Sequence, residues 1–157
     1  MINYWGDENA TQKSIEDGWM KSGDMGVIDE QGYLSIVGRL KDMIIRGGEN
    51  IYPKEIEEFL VRMEGVQDAQ VVGVSDEKYG EEVAAVIKVK ELASNKLRKE
   101  DVFEFCKDKI AFYKIPKFVK FVTEYPLTVS GKVQKFIMRN ELEEEKKRGL
   151  LNQYKVK

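Results

Sequence analysis

The chain has 157 residues, of which 42% are hydrophobic and 34% are charged, and its formal net charge is −2. A chain of this size can bury one modest core, so the length predicts a single domain or one domain with a piece of another. Basic and acidic residues are mixed along the whole length, and this balance argues against nucleic acid as a partner.

Histidine is absent from the sequence, and Cys106 is its one cysteine. The missing imidazole excludes Ser-His-Asp and Cys-His catalysis and histidine-ligated zinc, and a lone thiol excludes a thiolate metal cluster, so we predict no metal ligands. An internal disulfide is equally impossible, which fits a reducing compartment. No apolar stretch is long enough for a transmembrane segment. These features predict a cytoplasmic protein whose chemistry depends on Lys, Arg, carboxylates and backbone donors.

The opening of the chain is predicted to hold a short helix over 10–16 and a β-hairpin over 27–37, in which two β-rich runs flank Gly32. Trp5 and Trp19 lie outside these elements, in a segment too small to bury them in a core of its own. We therefore expect this opening to be the end of something larger. Its exposed apolar groups would then favour self-association of the chain.

A domain boundary is predicted after Gly38, which divides the chain into 1–38 and 39–157. Hydrophobic periodicity predicts the elements of the second part. They are a strand over 41–46 with a turn at Gly47-Gly48, a helix from Pro53 to about Gly65, antiparallel strands over 69–74 and 83–89, a polar connector over 92–99, a helix over 102–110 that ends before Pro116, a strand over 118–122, a loop over 126–132 and a final helix over 135–148. Because strands and helices follow no strict βαβ rhythm, we predict a small α+β domain with a mixed or antiparallel sheet and flanking helices.

Asp24 and Lys132 are two candidates for chemistry. Asp24 follows Gly23 on a tight turn, where a carboxylate can accept two hydroxyl hydrogen bonds, as ribose recognition requires. Lys132 ends a loop of small polar residues and is a mobile point charge suited to a developing phosphate charge. The alternative for each is an ordinary solvated turn.

A third candidate is the pair of segments Gly38-Arg39-Leu40-Lys41-Asp42 and Arg46-Gly47-Gly48-Glu49-Asn50. Clustered cations beside adjacent glycines could bring guanidinium and backbone groups close to a phosphate. The alternative is a charged edge strand with a glycine turn. Cys106 falls on the apolar face of a predicted helix, which favours a buried structural thiol.

In this order the segments closely resemble the AMP-forming acyl-CoA synthetases, a group of adenylate-forming enzymes. The resemblance runs to about Leu142 and is nearest to the medium-chain fatty acid type. The segments that carry it are Tyr4-Trp5-Gly6-Asp7, Asp17-Gly18-Trp19, Ser22-Gly23-Asp24, Gly38-Arg39-Leu40-Lys41-Asp42-Met43-Ile44, Gly47-Gly48-Glu49-Asn50-Ile51-Tyr52-Pro53-Lys54-Glu55-Ile56-Glu57 and Pro126-Leu127-Thr128-Val129-Ser130-Gly131-Lys132. The resemblance implies that 1–38 is the tail of a large N-terminal domain and that 39–157 is a mobile C-terminal domain.

The resemblance also implies a two-step reaction. A fatty acid and ATP first give acyl-AMP and pyrophosphate, and coenzyme A then displaces AMP while the C-terminal domain rotates between the steps. The roles that it implies are ribose binding for Asp24, ribose and phosphate contact for Arg39, a hinge at Lys41 and a place beside the pantetheine arm for Gly47, Gly48 and Glu49. For Lys132 it implies nucleotide binding and stabilisation of the adenylation transition state.

The sequence departs from this pattern in two ways. Ser22 stands where the family usually has Thr, which keeps the hydroxyl. The phosphate loop, the adenine pocket and the acyl tunnel, with most of the binding of ATP and Mg, belong to the N-terminal domain, so a polypeptide of these residues alone is expected to be inactive. Two alternatives remain open: a ligase that loads the phosphopantetheine of a carrier protein, and a non-catalytic α+β binding module.

Overall fold

The structure, a computed structural model, describes residues 3–90 and 97–151. It divides into two compact units, Met1–Lys41 and Asp42–Lys157. The sequence-based boundary follows Gly38, in the same short segment as this division. Most of the connector predicted over 92–99 lies outside the described residues. Within the described part of the chain, no helix is both long and apolar enough to cross a membrane.

The first unit consists of a short helix and two β-hairpins. Helix α1 spans Glu8–Ser14, strand β1 Ile15–Glu16 pairs antiparallel with β2 Trp19–Met20, and β3 Asp24–Ile28 pairs antiparallel with β4 Leu34–Arg39. The second hairpin confirms the one predicted over 27–37 and extends it at both ends. None of the described residues of this unit is buried, so the unit has no core of its own.

Helix α1 begins and ends earlier than the predicted stretch over 10–16. It begins earlier because Asp7 caps it: the Asp7 Oδ1 atom accepts a hydrogen bond from the Ala10 N–H at 2.8 Å. It ends earlier because Ile15 and Glu16 leave the helix to pair with β2. Strands of two residues show no periodicity, and this small hairpin was therefore missed.

The second unit contains the larger share of regular structure. In chain order its elements are β5 Ile44–Arg46, β6 Glu49–Ile51, α2 Pro53–Leu60, β7 Val66–Asp76, β8 Gly80–Val89, α3 Lys99–Cys106, β9 Phe118–Val122 and α4 Lys135–Lys147. The strands form one five-stranded sheet in the order β6-β5-β8-β7, and β9 also pairs with β8. The β8–β9 pair is parallel and the others are antiparallel, which confirms the predicted α+β class with a mixed sheet.

Helices cover both faces of this sheet. One core cluster joins α2 and α3 to one face, and the other joins α4 to the opposite face. Prominent members of the first are Ile56, Leu60, Val71, Ile87, Val102 and Cys106, and of the second Val72, Val86, Phe118, Met138 and Leu142. Successive strand residues point to opposite faces, so a strand covered on both sides is apolar at nearly every position. The continuous apolar runs of β7 and β8 follow from this three-layer arrangement.

Several predicted elements have other bounds in the structure, and β7 and β8 are longer than the strands predicted over 69–74 and 83–89. The strand predicted over 41–46 is shorter, because Leu40–Asp42 forms a 3-10 turn and only Ile44–Arg46 is extended. Helices α2 and α3 stop before the ends that periodicity indicates. Met63 and Ile110 still pack against the core, but they do so from the turns that follow each helix. The apolar spacing of α2 and α3 therefore continues for several residues after the helical backbone has ended.

Side chains of α2 and α4 bind the outer edge of β7, which is the last strand in the sheet order. These side chains make the hydrogen bonds to the main chain of two β7 residues that a neighbouring strand would otherwise make. The bonds are Glu57 with the Val71 N–H (2.7 Å), Lys135 with the Val71 carbonyl (3.2 Å), Glu143 with the Ser75 N–H and Lys146 with the Ser75 carbonyl. Lys135 also pairs with Glu57 at 2.6 Å, which ties the start of α4 to α2.

Candidate functional site

Asp24 and Arg39, both predicted to contact a nucleotide, face each other in the first unit. They are paired residues of β3 and β4, and the Nε atom of Arg39 lies 3.7 Å from Oδ1 of Asp24. The side chains are 35% exposed for Asp24 and 57% exposed for Arg39. A pair so open to solvent binds weakly, so both groups stay accessible to a ligand. The hairpin thus presents an acceptor for hydroxyl groups beside a donor for phosphate.

A tight turn fixes the backbone in front of Asp24. Gly23 has a φ of +78°, a conformation that favours glycine. The Asp24 N–H donates to Oγ of Ser22 at 3.1 Å, and the Leu40 N–H donates to the Gly23 carbonyl at 2.8 Å. The hydroxyl at position 22 is therefore in use, and serine supplies it as well as threonine would.

Lys41, the predicted hinge, is the last residue of the first unit and lies in the 3-10 turn of Leu40–Asp42. Its side chain is exposed, and among the described residues it has no hydrogen bond or ion pair. A residue in a short turn between two compact units can change φ and ψ without breaking core contacts. This position suits a hinge, and the hinge role stays a prediction.

Gly47, Gly48 and Glu49 lie at the tip of the β5–β6 hairpin. Because Arg46 pairs with Glu49, the two glycines form a two-residue turn, with φ values of +58° and +91°. The Gly47 N–H donates to the Tyr79 carbonyl at 2.8 Å. A side chain at Gly48 would meet nothing within 4 Å. The tip is therefore anchored on one side and open on the other.

For Arg46, the structure favours the alternative of a charged strand with a glycine turn over phosphate binding. Its guanidinium makes two bonds to the carboxylate of Glu82, at 2.6 and 3.1 Å, and lies 4.2 Å from the ring centroid of Tyr79. Glu82 is 1% exposed. Lys117 completes the group, because it bonds Glu82 at 3.2 Å and Asp76 at 3.0 Å. Arg46 is thus a structural cation that offsets a buried carboxylate.

The contacts of this network shift the pKa values of Arg46, Lys117 and Asp76 toward the charged form. The hydrogen bond with Glu82 raises the pKa of Arg46, against the opposing effect of burial. Burial would lower the pKa of Lys117, but the bonds to Asp76 and Glu82 outweigh it and the pKa is raised. Burial would likewise raise the pKa of Asp76, and the bonds from Lys117 and from two backbone N–H groups lower it instead.

Lys132, the predicted catalytic residue, ends a hairpin loop that a bridge between Leu127 and Val133 closes. Thr128 holds the loop at two points. Its N–H donates to the Lys132 carbonyl at 2.8 Å, and its Oγ1 atom accepts the Lys132 N–H at 3.0 Å. Gly131 has a φ of +80°, and its N–H donates to the Thr128 carbonyl at 2.9 Å. The backbone at Lys132 is therefore well fixed.

The side chain of Lys132 is exposed and, within residues 3–90 and 97–151, has neither an ion pair nor a hydrogen bond. Nearby Lys135, in contrast, is bound to Glu57. In the same described part, no hydrogen bond joins the Lys132 loop to the Gly47–Gly48 turn. A fixed backbone with a free ammonium group suits the binding of an anionic group that comes from outside the chain.

The partners of Arg46 were not predicted from the sequence. The available signal was Glu82, a carboxylate directly before the apolar run over 83–87 in β8, since a charge that becomes buried there requires a partner. The partner of Glu82 was not predictable from the sequence, because Lys117 is 35 residues away along the chain.

Burial of Cys106 is confirmed, and it raises the thiol pKa to about 12. Among the described residues, no cluster of three His, Cys, Asp or Glu side chains could hold a metal ion.

The chain is similar to known proteins in both sequence and fold. Residues 55–132 match the family model of the AMP-binding enzyme C-terminal domain. Over 145 residues the chain is 52% identical to a mitochondrial medium-chain acyl-CoA ligase of Bos taurus. Among solved structures it matches ATP-bound MatB from Rhodopseudomonas palustris, with a TM-score of 0.83 and 37% identity. It also matches the o-succinylbenzoate CoA synthetase of Bacillus subtilis in complex with its acyl-adenylate intermediate, with a TM-score of 0.78 and 34% identity.

These matches cover most of this chain and a small part of each relative. The shares are 92% of this chain and 23% of the Bos taurus ligase, and 90% and 28% for each of the two solved structures. The chain thus spans about a quarter of the length of the relatives that it matches. The family match and the shared fold show that the chain belongs to the AMP-binding, adenylate-forming enzymes and carries their C-terminal domain.

Proposed function

We propose that the chain is the C-terminal part of an ATP-dependent, AMP-forming ligase that joins a fatty acid of medium length to coenzyme A. The observation that carries the proposal is the exposed ammonium group of Lys132, which has no partner in the part of the chain that the structure describes and lies on a loop whose backbone is fixed by Thr128. The name of the Bos taurus relative supports the acyl group and the acceptor. The ATP and acyl-adenylate in the titles of the two solved structures support the first step.

The proposed reaction has two displacements. In the first, a carboxylate oxygen attacks the α-phosphorus of ATP, a new P–O bond forms and pyrophosphate leaves. In the second, the sulfur of coenzyme A attacks the acyl carbon, the C–O bond to AMP breaks and the thiol proton is released. Both steps move charge onto phosphate oxygens, which positioned cations stabilise without any histidine.

Each predicted site residue has one role in this scheme. Lys132 stabilises the charge that develops during adenylation, while Asp24 accepts hydrogen bonds from the ribose hydroxyls and Arg39 donates to the ribose and phosphate region. Lys41 absorbs the rotation between the steps. The turn formed by Gly47, Gly48 and Glu49 lies along the pantetheine arm, where missing side chains let a thin ligand approach the backbone.

The main partner in this proposal is the N-terminal domain of the same enzyme, which holds most of the ATP and its Mg. Trp5 is fully exposed and Trp19 is 80% exposed, as expected of side chains that another domain covers. Without that domain these groups would favour self-association. The cytoplasmic location predicted from the sequence is retained as part of the proposal, although the Bos taurus relative is named as mitochondrial.

A polypeptide of these 157 residues is expected to make no acyl-CoA at a measurable rate, while the full-length enzyme does. The reason is that the nucleotide and acyl pockets belong to the rest of the enzyme. The measurement is thioester formation from ATP, a medium-chain fatty acid and coenzyme A with each protein. A native-like rate from the short polypeptide would contradict the proposal, and so would a full-length enzyme that is inactive with every fatty acid.

Replacing Asp24 by asparagine in the full-length enzyme is expected to raise KM for ATP roughly 10- to 100-fold with little change in kcat. The amide keeps the shape of the side chain but loses the charge that strengthens bonds from the ribose hydroxyls. The measurement is pyrophosphate release against ATP concentration. Asp17→Asn, an exposed turn residue of the same unit, is the control. An unchanged KM for Asp24→Asn would remove this residue from the nucleotide site.

A carrier-protein phosphopantetheine remains the alternative acceptor. The Gly47–Gly48 turn fits either acceptor, since both end in the same pantetheine arm. Assaying the full-length enzyme with coenzyme A and with a carrier protein whose phosphopantetheine thiol is free separates them, and a clear preference for the carrier would replace coenzyme A as the acceptor in this proposal. The non-catalytic binding module predicts that neither acceptor is acylated and that no acyl-AMP forms.

A further inference from the structure

We propose that Arg46, Tyr79 and Glu82 are positioning residues for thioester formation, because they hold the Gly47–Gly48 turn in the shape that the pantetheine arm meets. The inference rests on the proposed function and extends it to residues that act through the turn, without an assigned contact to acyl-AMP or coenzyme A. It concerns the second step alone. Adenylation depends on other residues and should be insensitive to this group.

Tyr79 is the direct support of the turn. Its carbonyl accepts the Gly47 N–H at 2.8 Å. A Cβ atom at Gly47 would lie 3.2 Å from Cδ1 of the Tyr79 ring, whereas one at Gly48 would have nothing within 4 Å. The ring is thus a wall on the Gly47 side, and the Gly48 side is left open for a ligand.

Arg46 also contacts the ring of Tyr79. Its guanidinium carbon lies 4.2 Å from the ring centroid, a distance typical of a cation–π contact. Two bonds to Glu82 hold the guanidinium in one orientation. The strand residue that leads into the turn and the ring that supports it are therefore locked together.

These contacts belong to a closed network of five residues, which are Arg46, Asp76, Tyr79, Glu82 and Lys117. Glu82 bonds Arg46 and Lys117, and Lys117 bonds Asp76. Asp76 accepts a hydrogen bond from the backbone N–H of Tyr79 at 3.0 Å. Tyr79 is the residue that supports the turn, so the network is closed. Because every member is held from two sides, the position of the turn is set by the sheet and not by its own two glycines.

The five-residue network could instead contribute only to the stability of the domain. A stabilising role and a positioning role predict different kinetics. Lower stability reduces the amount of active enzyme, so both half-reactions fall by one factor. A displaced turn affects only the reaction with coenzyme A. The ratio of the two half-reactions therefore distinguishes positioning from stability.

The test uses the full-length enzyme with Tyr79→Ala and Tyr79→Phe. Thioester formation from preformed acyl-AMP and coenzyme A is compared with pyrophosphate release from ATP and a fatty acid. Tyr79→Ala is expected to lower kcat/KM for coenzyme A roughly 10- to 100-fold while pyrophosphate release changes less than about twofold. Tyr79→Phe keeps the ring under Arg46 and should retain the wild-type value.

Tyr113→Ala is the matched control, because Tyr113 is also half-buried and packs against the core instead of the turn. It should change both half-reactions by one factor. Glu82→Gln should resemble Tyr79→Ala, and if it fails to fold the Tyr79 variants decide. Equal losses in both half-reactions, or no loss with coenzyme A, would overturn the inference. A wild-type enzyme without either half-reaction would instead refute the proposed function.

Discussion

Replacing Lys132 by alanine in the full-length enzyme is expected to lower the rate of acyl-AMP formation about 10²- to 10³-fold, the usual loss when one positioned electrostatic group is removed. The ammonium group has no partner among the described residues that its removal would leave unpaired, and the loop is held by Thr128 main-chain and side-chain bonds that alanine retains. Pyrophosphate release measures this step. Thioester formation from preformed acyl-AMP should remain close to wild type.

Lys107 provides a matched control, since it is another exposed lysine and has no proposed role. Lys107→Ala should leave both rates unchanged. If Lys132→Ala also leaves both unchanged, the loop over 126–132 is an ordinary turn and the binding-module alternative gains support. If both half-reactions collapse together in Lys132→Ala, the residue serves the fold or both steps, and its assignment to adenylation is lost.

Phe118→Ala is expected to lower the free energy of unfolding of the chain by about 3–5 kcal/mol, the usual cost of deleting a buried aromatic ring. Phe118 has no exposed surface and lies in the second core cluster with Met138 and Leu142 of α4. The vacated volume lies between the sheet and a helix, so neither can collapse fully into it. Urea denaturation monitored by circular dichroism measures the change.

Phe112→Ala tests whether burial is the cause. The Phe112 side chain is 62% exposed, so the same atoms are removed from a position where few contacts are lost. Its free energy of unfolding should fall by less than about 0.5 kcal/mol. Similar losses for the two variants would show that Phe118 does not anchor α4 against the sheet.

The parts of the fold that sequence analysis predicted best are those with long apolar periodicity. The runs that became β7 and β8 are apolar on both faces and rich in valine, which favours strands that are covered on both sides. Ends of elements were harder, because Met63 and Ile110 keep the helical pattern without the helical backbone. The parallel β8–β9 pair was not predictable from local signals, since pairing of distant strands depends on the whole core.

In the site, too, the sequence predicted which residues matter better than it predicted their partners. Asp24 and Arg39 were both selected from short motifs, and the structure brings them together because the β3–β4 register makes them partners. Arg46 was included for its charge beside two glycines, but that charge is bound by Glu82 from a distant strand. A motif indicates which residues matter, whereas the direction of a long cation depends on carboxylates that only the fold brings near.

The bound edge of β7 has a consequence for aggregation. An exposed edge strand of 11 residues would be a template on which a second molecule could add its own strand. Here the Val71 and Ser75 main-chain groups are already taken by carboxylates and ammonium groups of α2 and α4, and an incoming strand would have to displace them. The domain can therefore present this edge to solvent without adding a strand from a second molecule.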